Sequence, residues 1–343
     1  MTQKTINKLK SKKDEKFSFE LMGNDISVLY EITSENLFKS LDYTGQGEIL
    51  KKDIIEALES RGILMSDPRI TETFEKLKKF KDTEKINPKQ FHDTIVSNIT
   101  LIEKALKGDL IIPDFRSFSK KIQNIFDSVK PIKGGNVADY IPQLARVNPD
   151  YYAVSVCTID GQQFHLGDHN VPYSIQSTSK PINYAIALEE FGEEIVHQHI
   201  GREPSGRGFN ELTLNKDGLP HNPMINAGAI MSCSLIRPDL NISDRFDYVL
   251  DIWKKLAGGL NVGFNNSIYL SEKQTADRNF ALAYFMRENN AFPKDSNMLE
   301  VLDFYFQGCS IQLNCSGHAI VAGTLANAGI CPITRERVFS PTT

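Results

Sequence analysis

Pro181 places the tightest constraint on the fold, because it closes the run Ser174-Ile175-Gln176-Ser177-Thr178-Ser179-Lys180-Pro181. Proline lacks a backbone donor and is tolerated in the first turn of a helix, where donors have no partner anyway. Ile182, Ala185, Ile186 and Phe191 follow at helical spacing, and Gly192 supplies a stop. The pattern predicts a helix that begins at about Ser177. Ser177 and Lys180 are three residues apart, so on a helix they share a face and hydroxyl and amine can touch. A serine needs a base to become a nucleophile, and a neutral lysine can be that base. The positive end of the helix favours an alkoxide and a neutral lysine. The S-x-x-K pattern arises by chance about once or twice in a chain of this length, and a T-x-x-K pair stands at Thr73 and Lys76. The competing reading of Ser177 and Lys180 is a surface pair flanking an ordinary helix start.

The 343 residues, 41% of them hydrophobic, suit a globular protein of two domains. A net charge of -4 gives no bulk basic field for nucleic acid. No apolar run approaches the roughly 20 residues that span a bilayer, so neither a nucleic-acid nor a membrane partner is expected. The five cysteines, Cys157, Cys233, Cys309, Cys315 and Cys331, form no CxxC pair and point to a reducing compartment rather than a disulfide or zinc framework. Residues 1–20 read as a disordered, lysine-rich tail without the features of a secretory or transit peptide.

Residues 21–126 read as a helical domain. Leu37 and Leu41, then Ile54, Ile55 and Leu58, then Phe74 and Leu77 recur at helical spacing. Between the first two groups, Asp42 to Asp53 is similar to a twelve-residue EF-hand loop, with Gly47 at the sharp turn and Ile49 able to pair with a partner loop. Thr44 and Gln46 stand where strong calcium loops carry carboxylates, so a metal-free helical pair is expected. Lys81 to Phe91 reads as the remnant of a second hand, with Ile86 at the pairing position. A second domain, 134–343, opens with two strand-like runs, Tyr151 to Ile159 and Gln163 to Leu166, joined by Asp160-Gly161, a hairpin signal.

Several motifs in order extend the pattern: Gln176-Ser177-x-x-Lys180-Pro181, Glu203-Pro204-Ser205-Gly206, Pro220 to Ala229, Asp277-Arg278-Asn279-Phe280-Ala281, Asp303 to Gln307, and Ala326 to Thr334. Together they resemble the serine-dependent glutaminases, which share the fold of β-lactamases and penicillin-binding proteins. The EF-hand-like region resembles the helical domain of animal members. The resemblance implies an α+β chain: a β-lactamase-like catalytic domain preceded by an all-α EF-hand-like domain. It implies hydrolysis of L-glutamine to L-glutamate and ammonia with no cofactor and no metal. Carried over by residue, Ser177 resembles the nucleophile and Lys180 its base, while Tyr140, Gln176, Asn226, Glu272, Asn279 and Tyr305 resemble the groups that, with Ser177, hold glutamine. Taken singly, Asn226 and Asn279 would be turn or capping residues and Tyr305 a core residue. His221, His197 and His199 read as structural; the last two face different sides of a helix and do not share a metal.

The resemblance also implies a homo-oligomer, dimer or tetramer, and a mitochondrial address, against a cytoplasmic one read from the lack of a visible transit peptide. Gly201 to Asn215 resembles a gating and tetramer loop, with Glu211 and Thr213 in place of a lysine and a phenylalanine. No K-[ST]-G motif follows, so the catalytic domain is expected to be incomplete at its C-terminus, its first hairpin without neighbours and its activity low. Losing one oxyanion donor costs about 10²–10³ in rate. The alternative is an inactive assembly subunit of a full-length glutaminase. A penicillin-recognising enzyme is disfavoured by the missing motif, and a calcium sensor by the weak loop.

Overall fold

The computed structural model describes residues 26–343, and the polar tail expected over 1–20 lies outside them. The chain divides into two compact units between Lys121 and Ile122.

In the first unit, helix α1 (26–41) runs into the EF-hand-like loop. Asp42 turns its carboxylate back on the loop, accepting from Gly47 N (2.7 Å), Gln46 N (3.3 Å) and Thr44 Oγ1 (2.9 Å). These donors hold its pKa below the usual carboxylate range, Gly47 foremost. At the other end Asp53 Oδ2 accepts from Leu50 N at 2.9 Å. Strand β1 (Ile49–Leu50) pairs antiparallel with β2 (Lys85–Ile86), Ile49 opposite Ile86. Helices α2 (Lys51–Glu59), α3 (Thr71–Leu77), α4 (Pro88–Ile95) and α5 (Ile99–Lys107) follow in the same unit, α2 packing on β1. Asn87 and Gln90 cap α4 reciprocally. Leu37, Ile54, Leu58, Phe74, Leu77, Ile86 and Phe91 meet in one buried cluster. Each such side chain stabilises the fold by about 1.5–3 kcal/mol on burial.

The second unit takes up the later part of α6 (Phe115–Val129), where Phe126 stacks on Tyr152 at 4.6 Å. After the one-turn helix α7 (Pro142–Ala145), β3 (Ala153–Cys157) and β4 (Gln163–Gly167) form the hairpin that Asp160-Gly161 foretells, in register Ala153 to Gly167 and Cys157 to Gln163. Among the described residues this pair makes a two-stranded sheet of its own. A separate sheet has the order β5-β7-β6, built from Tyr173–Ser174, Ile311–Leu313 and Gly263–Phe264. Nothing in local composition marks strands of two or three residues joined across so much chain.

Helices make up the rest: α8 (Ser179–Val196), α9 (Asn226–Leu235), α10 (Ile242–Leu256), α11 (Asn266–Gln274), α12 (Asp277–Glu288), α13 (Met298–Cys309) and α14 (Cys315–Ala326). From Ala227 to Leu235 every residue of α9 is buried. A helix apolar all round belongs at the centre of a bundle, and α8, α12 and α13 pack around it. Pro181 lies in the first turn of α8 as expected. Gly192 ends the first helical stretch as expected, its backbone (φ 72, ψ 166) being non-helical, and a short second stretch runs on to Val196. No described helix is long and apolar enough to cross a membrane.

Candidate active site

One short segment leads into the site. Ile175 N bonds to Ile311 O at 2.9 Å, tying the end of β5 to β7. Gln176 then takes a left-handed backbone (φ 48), and Gln176–Thr178 form a 3-10 turn ahead of α8. Thr178 Oγ1 and Ser179 Oγ fold back onto Ile175 O and Gln176 O at 2.6 and 2.7 Å. The turn leaves Ser177 in the wall of a cavity of about 310 Å³.

That cavity brings together seven of the residues singled out by sequence: Tyr140, Gln176, Ser177, Asn226, Glu272, Asn279 and Tyr305. They come from the segment before α7, the turn before α8, and helices α9, α11, α12 and α13. Lys180, the eighth, is 4% exposed and lies behind the wall. Its Nζ donates to Asn226 Oδ1 at 2.7 Å, and Asn226 Nδ2 donates in turn to Asn279 Oδ1 at 3.0 Å. No hydrogen bond joins Lys180 to Ser177 among the described residues. The lysine side chain follows the amide 46 residues away rather than the hydroxyl one turn back. Burial pushes its pKa down, toward the neutral amine.

Asn226 is fixed by a close approach. Asn222 Oδ1 accepts from Met224 N and Ile225 N, making the turn that Asn222-Pro223 announces. A Cβ on Gly228 would lie 1.9 Å from Asn222 O, so the turn can rest on α9 only over glycine.

Glu272 is 8% exposed, and its Oε1 has no partner although it is buried. Burial lifts its carboxyl to about 7, with the Gln176 amide pulling the other way. Tyr140 Oη donates to Gln176 Oε1 at 2.8 Å. Burial, then Glu272, push the Tyr140 hydroxyl pKa up, and burial does the same to Tyr305. Both phenols are neutral donors. The site therefore offers a hydroxyl, a buried amine, a carboxyl with an unpartnered oxygen, and amides and phenols that can bond a polar ligand.

Sequence reasoning passed over Cys309, Thr275 and Arg278, which also line the cavity. Cys309 follows Tyr305 by four residues on α13, so helical spacing could have found it. The histidines take structural places: His197 meets Tyr184 Oη and Ile200 O, His199 meets Ala291 O, and His221 meets Thr213 Oγ1. A larger groove of about 900 Å³, between Ala153 and Tyr173, contains none of the eight predicted residues.

The glutaminase family model matches residues 135–343. The chain belongs to the glutaminase family. An EF-hand domain model matches residues 33–113. Putative glutaminase 2 of Caenorhabditis elegans is 43% identical over 325 residues, 91% of this chain and 54% of that protein. The mitochondrial liver isoform of glutaminase from Rattus norvegicus is 42% identical over 300 residues, 86% of this chain and 50% of its own length. The chain thus spans about half the length of these relatives. Among solved structures, a probable glutaminase, ybaS, superposes with a TM-score of 0.61 at 32% identity, covering 65% of this chain and 72% of that one. The fold is α+β, with the β-lactamase-like architecture of the glutaminases behind an EF-hand domain.

Proposed function

We propose that the cavity binds L-glutamine and hydrolyses its side-chain amide through an ester on Ser177. The observation that carries this reading is Glu272, a buried residue that lines the same 310 Å³ cavity as Ser177 and has a carboxyl oxygen with no partner. An α-amino acid brings the ammonium that such a group lacks. Asn226, Asn279, Tyr140 and Tyr305 then hold the α-carboxylate and orient the side-chain amide.

Ser177 Oγ attacks the amide carbon, and its proton passes to Lys180 through a hydrogen bond that the substrate complex has to form, since the amine here bonds to Asn226. A neutral amine that donates one hydrogen to Asn226 keeps its lone pair for that proton. The oxyanion draws on the backbone N–H of Ser177. The carbon–nitrogen bond breaks as Lys180 returns the proton to the nitrogen, and ammonia leaves. Water, deprotonated by the same amine, attacks the ester carbon; the bond from that carbon to Ser177 Oγ breaks as Lys180 returns the proton to Oγ, and glutamate leaves. These steps require no cofactor and no metal.

The test is ammonia release from L-glutamine by the purified chain, by its Ser177→Ala and Lys180→Met variants, and by a relative of full length. Release that survives Ser177→Ala overturns the reading. The β3–β4 hairpin, which pairs with no further strand among the described residues, favours a second reading, an assembly subunit that engages a longer glutaminase. Co-purification with such a relative, without turnover by the chain alone, selects it. Homo-oligomerisation stays part of the proposal through the loop 201–215, where Leu212 is exposed, and light scattering tests it. The rat relative's compartment suggests a mitochondrial address, which fractionation of expressing cells tests.

A further inference from the structure

Phe209 stands in the loop between α8 and α9 and is 62% exposed, yet both ends of its environment are fixed. Its carbonyl accepts the N–H of Asn226 at 2.8 Å, which anchors it to the first residue of α9. Cross-links at Gly201 N to Pro220 O and Glu203 N to His221 O strap the loop shut at its base. From that anchor the ring reaches over the cavity, and its centroid lies 5.6 Å from Lys180 Nζ. The amine thus has a ring face on one side and Asn226 Oδ1 on another. Among titratable groups on neighbouring elements, Cys309 on α13 acts on Lys180 directly. Glu272 on α11, Cys233 on α9 and Tyr305 on α13 act on Cys309, and Arg278 on α12 lines the same cavity.

We propose that Phe209 is a positioning residue whose ring face tunes the protonation of Lys180 and so the strength of the base. The proposal rests on the reading of Lys180 as the base that serves Ser177. A ring face attracts an ammonium and not a neutral amine. Burial works in the opposite direction, against the charge. The two opposed influences keep the amine able to take a proton and able to return it. The ammonium is also the form Lys180 assumes once Ser177 has lost its proton, so the ring stabilises charge that develops during the attack.

Phe209→Leu keeps an apolar cover over the amine and removes the ring face; Phe209→Trp keeps a stronger one. The protonation midpoint of Lys180 is read by NMR on the full chain with lysine labelled at Cε, the resonance assigned by its loss in Lys180→Met. Phe209→Leu should lower the midpoint by about half a unit to one and a half units, and Phe209→Trp should hold or raise it. The acid limb of kcat/KM for glutamine should move with the midpoint. An unchanged midpoint in Phe209→Leu, or an equal fall in both variants, overturns the proposal. A midpoint that moves as expected in a chain that releases no ammonia supports the role of Phe209 and removes the hydrolytic reading instead.

Discussion

Glu272→Gln removes one potential charge from the cavity and little volume. In the native chain burial raises this carboxyl from 4.5 to about 7. A rise of about 2.5 units corresponds to a ceiling of about 3 kcal/mol. Between those two values the folded chain keeps a proton that the unfolded chain has lost. Stability therefore falls as pH rises through that window, and the full penalty is present above about 7. Glu272→Gln should match the native chain near pH 4 and exceed its stability at pH 8 by about 1–3 kcal/mol. Ligand binding should show the opposite face of the same effect. About a tenth of the carboxyl is ionised at pH 6 and about nine tenths at pH 8, so the affinity for L-glutamine should rise about tenfold between them. The glutamine variant should bind about 10–100-fold more weakly at pH 8, having lost a charge-assisted bond. Calorimetry of L-glutamine binding to Ser177→Ala and to Ser177→Ala/Glu272→Gln at pH 6 and 8 measures both. Equal affinity at the two pH values in the first protein, or a pH dependence that survives in the second, refutes the assignment.

Three further outcomes follow from other sites. Gly228→Ala would drive a methyl group into Asn222 O, so thermal unfolding should show a loss of about 3 kcal/mol; an unchanged melting temperature would mean that the turn is free to move. His165, stacked on His169 at 4.8 Å, is pushed down to about 4 by burial and then by its neighbour, so the fold should weaken as pH falls from about 6.5 through 4. After allowing for solvent the loss is about 1–2 kcal/mol, and denaturant titrations of native chain and His165→Gln should differ there and agree at pH 8. Calcium at millimolar level should leave the melting temperature of the first unit where a chelator leaves it, because the Asp42 carboxylate is already bonded to Gly47, Gln46 and Thr44; a calcium-dependent rise would contradict that geometry.

Local chemistry was legible in the sequence wherever a residue's own backbone decides the outcome. Pro181 marks the first turn of α8, and Asp160-Gly161 gives the hairpin of β3 and β4. Ile49 and Ile86 meet across β1 and β2 as their positions in the two loops require. Gly192 is legible as a stop, but the short helical stretch beyond it was not foreseeable, because packing holds that turn and Val196 is fully buried. The sheet β5-β7-β6 was invisible because its strands take their partners from far along the chain. Seven of the eight candidate residues meet in one cavity, but the partner of Lys180 could not be read from spacing. Helical periodicity places it near Ser177, whereas tertiary packing offers it the carbonyl of Asn226.

Gln176 wears a backbone twist that costs a side-chain-bearing residue about 1–3 kcal/mol. Glycine at that position would relax the twist and firm up the fold. It would also delete the amide that receives Tyr140 and let the proposed nucleophile next door, Ser177, drift. Robustness and chemistry thus pull this single position in opposite directions, and a screen for heat-resistant variants should recover changes there that leave the molecule sturdier and idle.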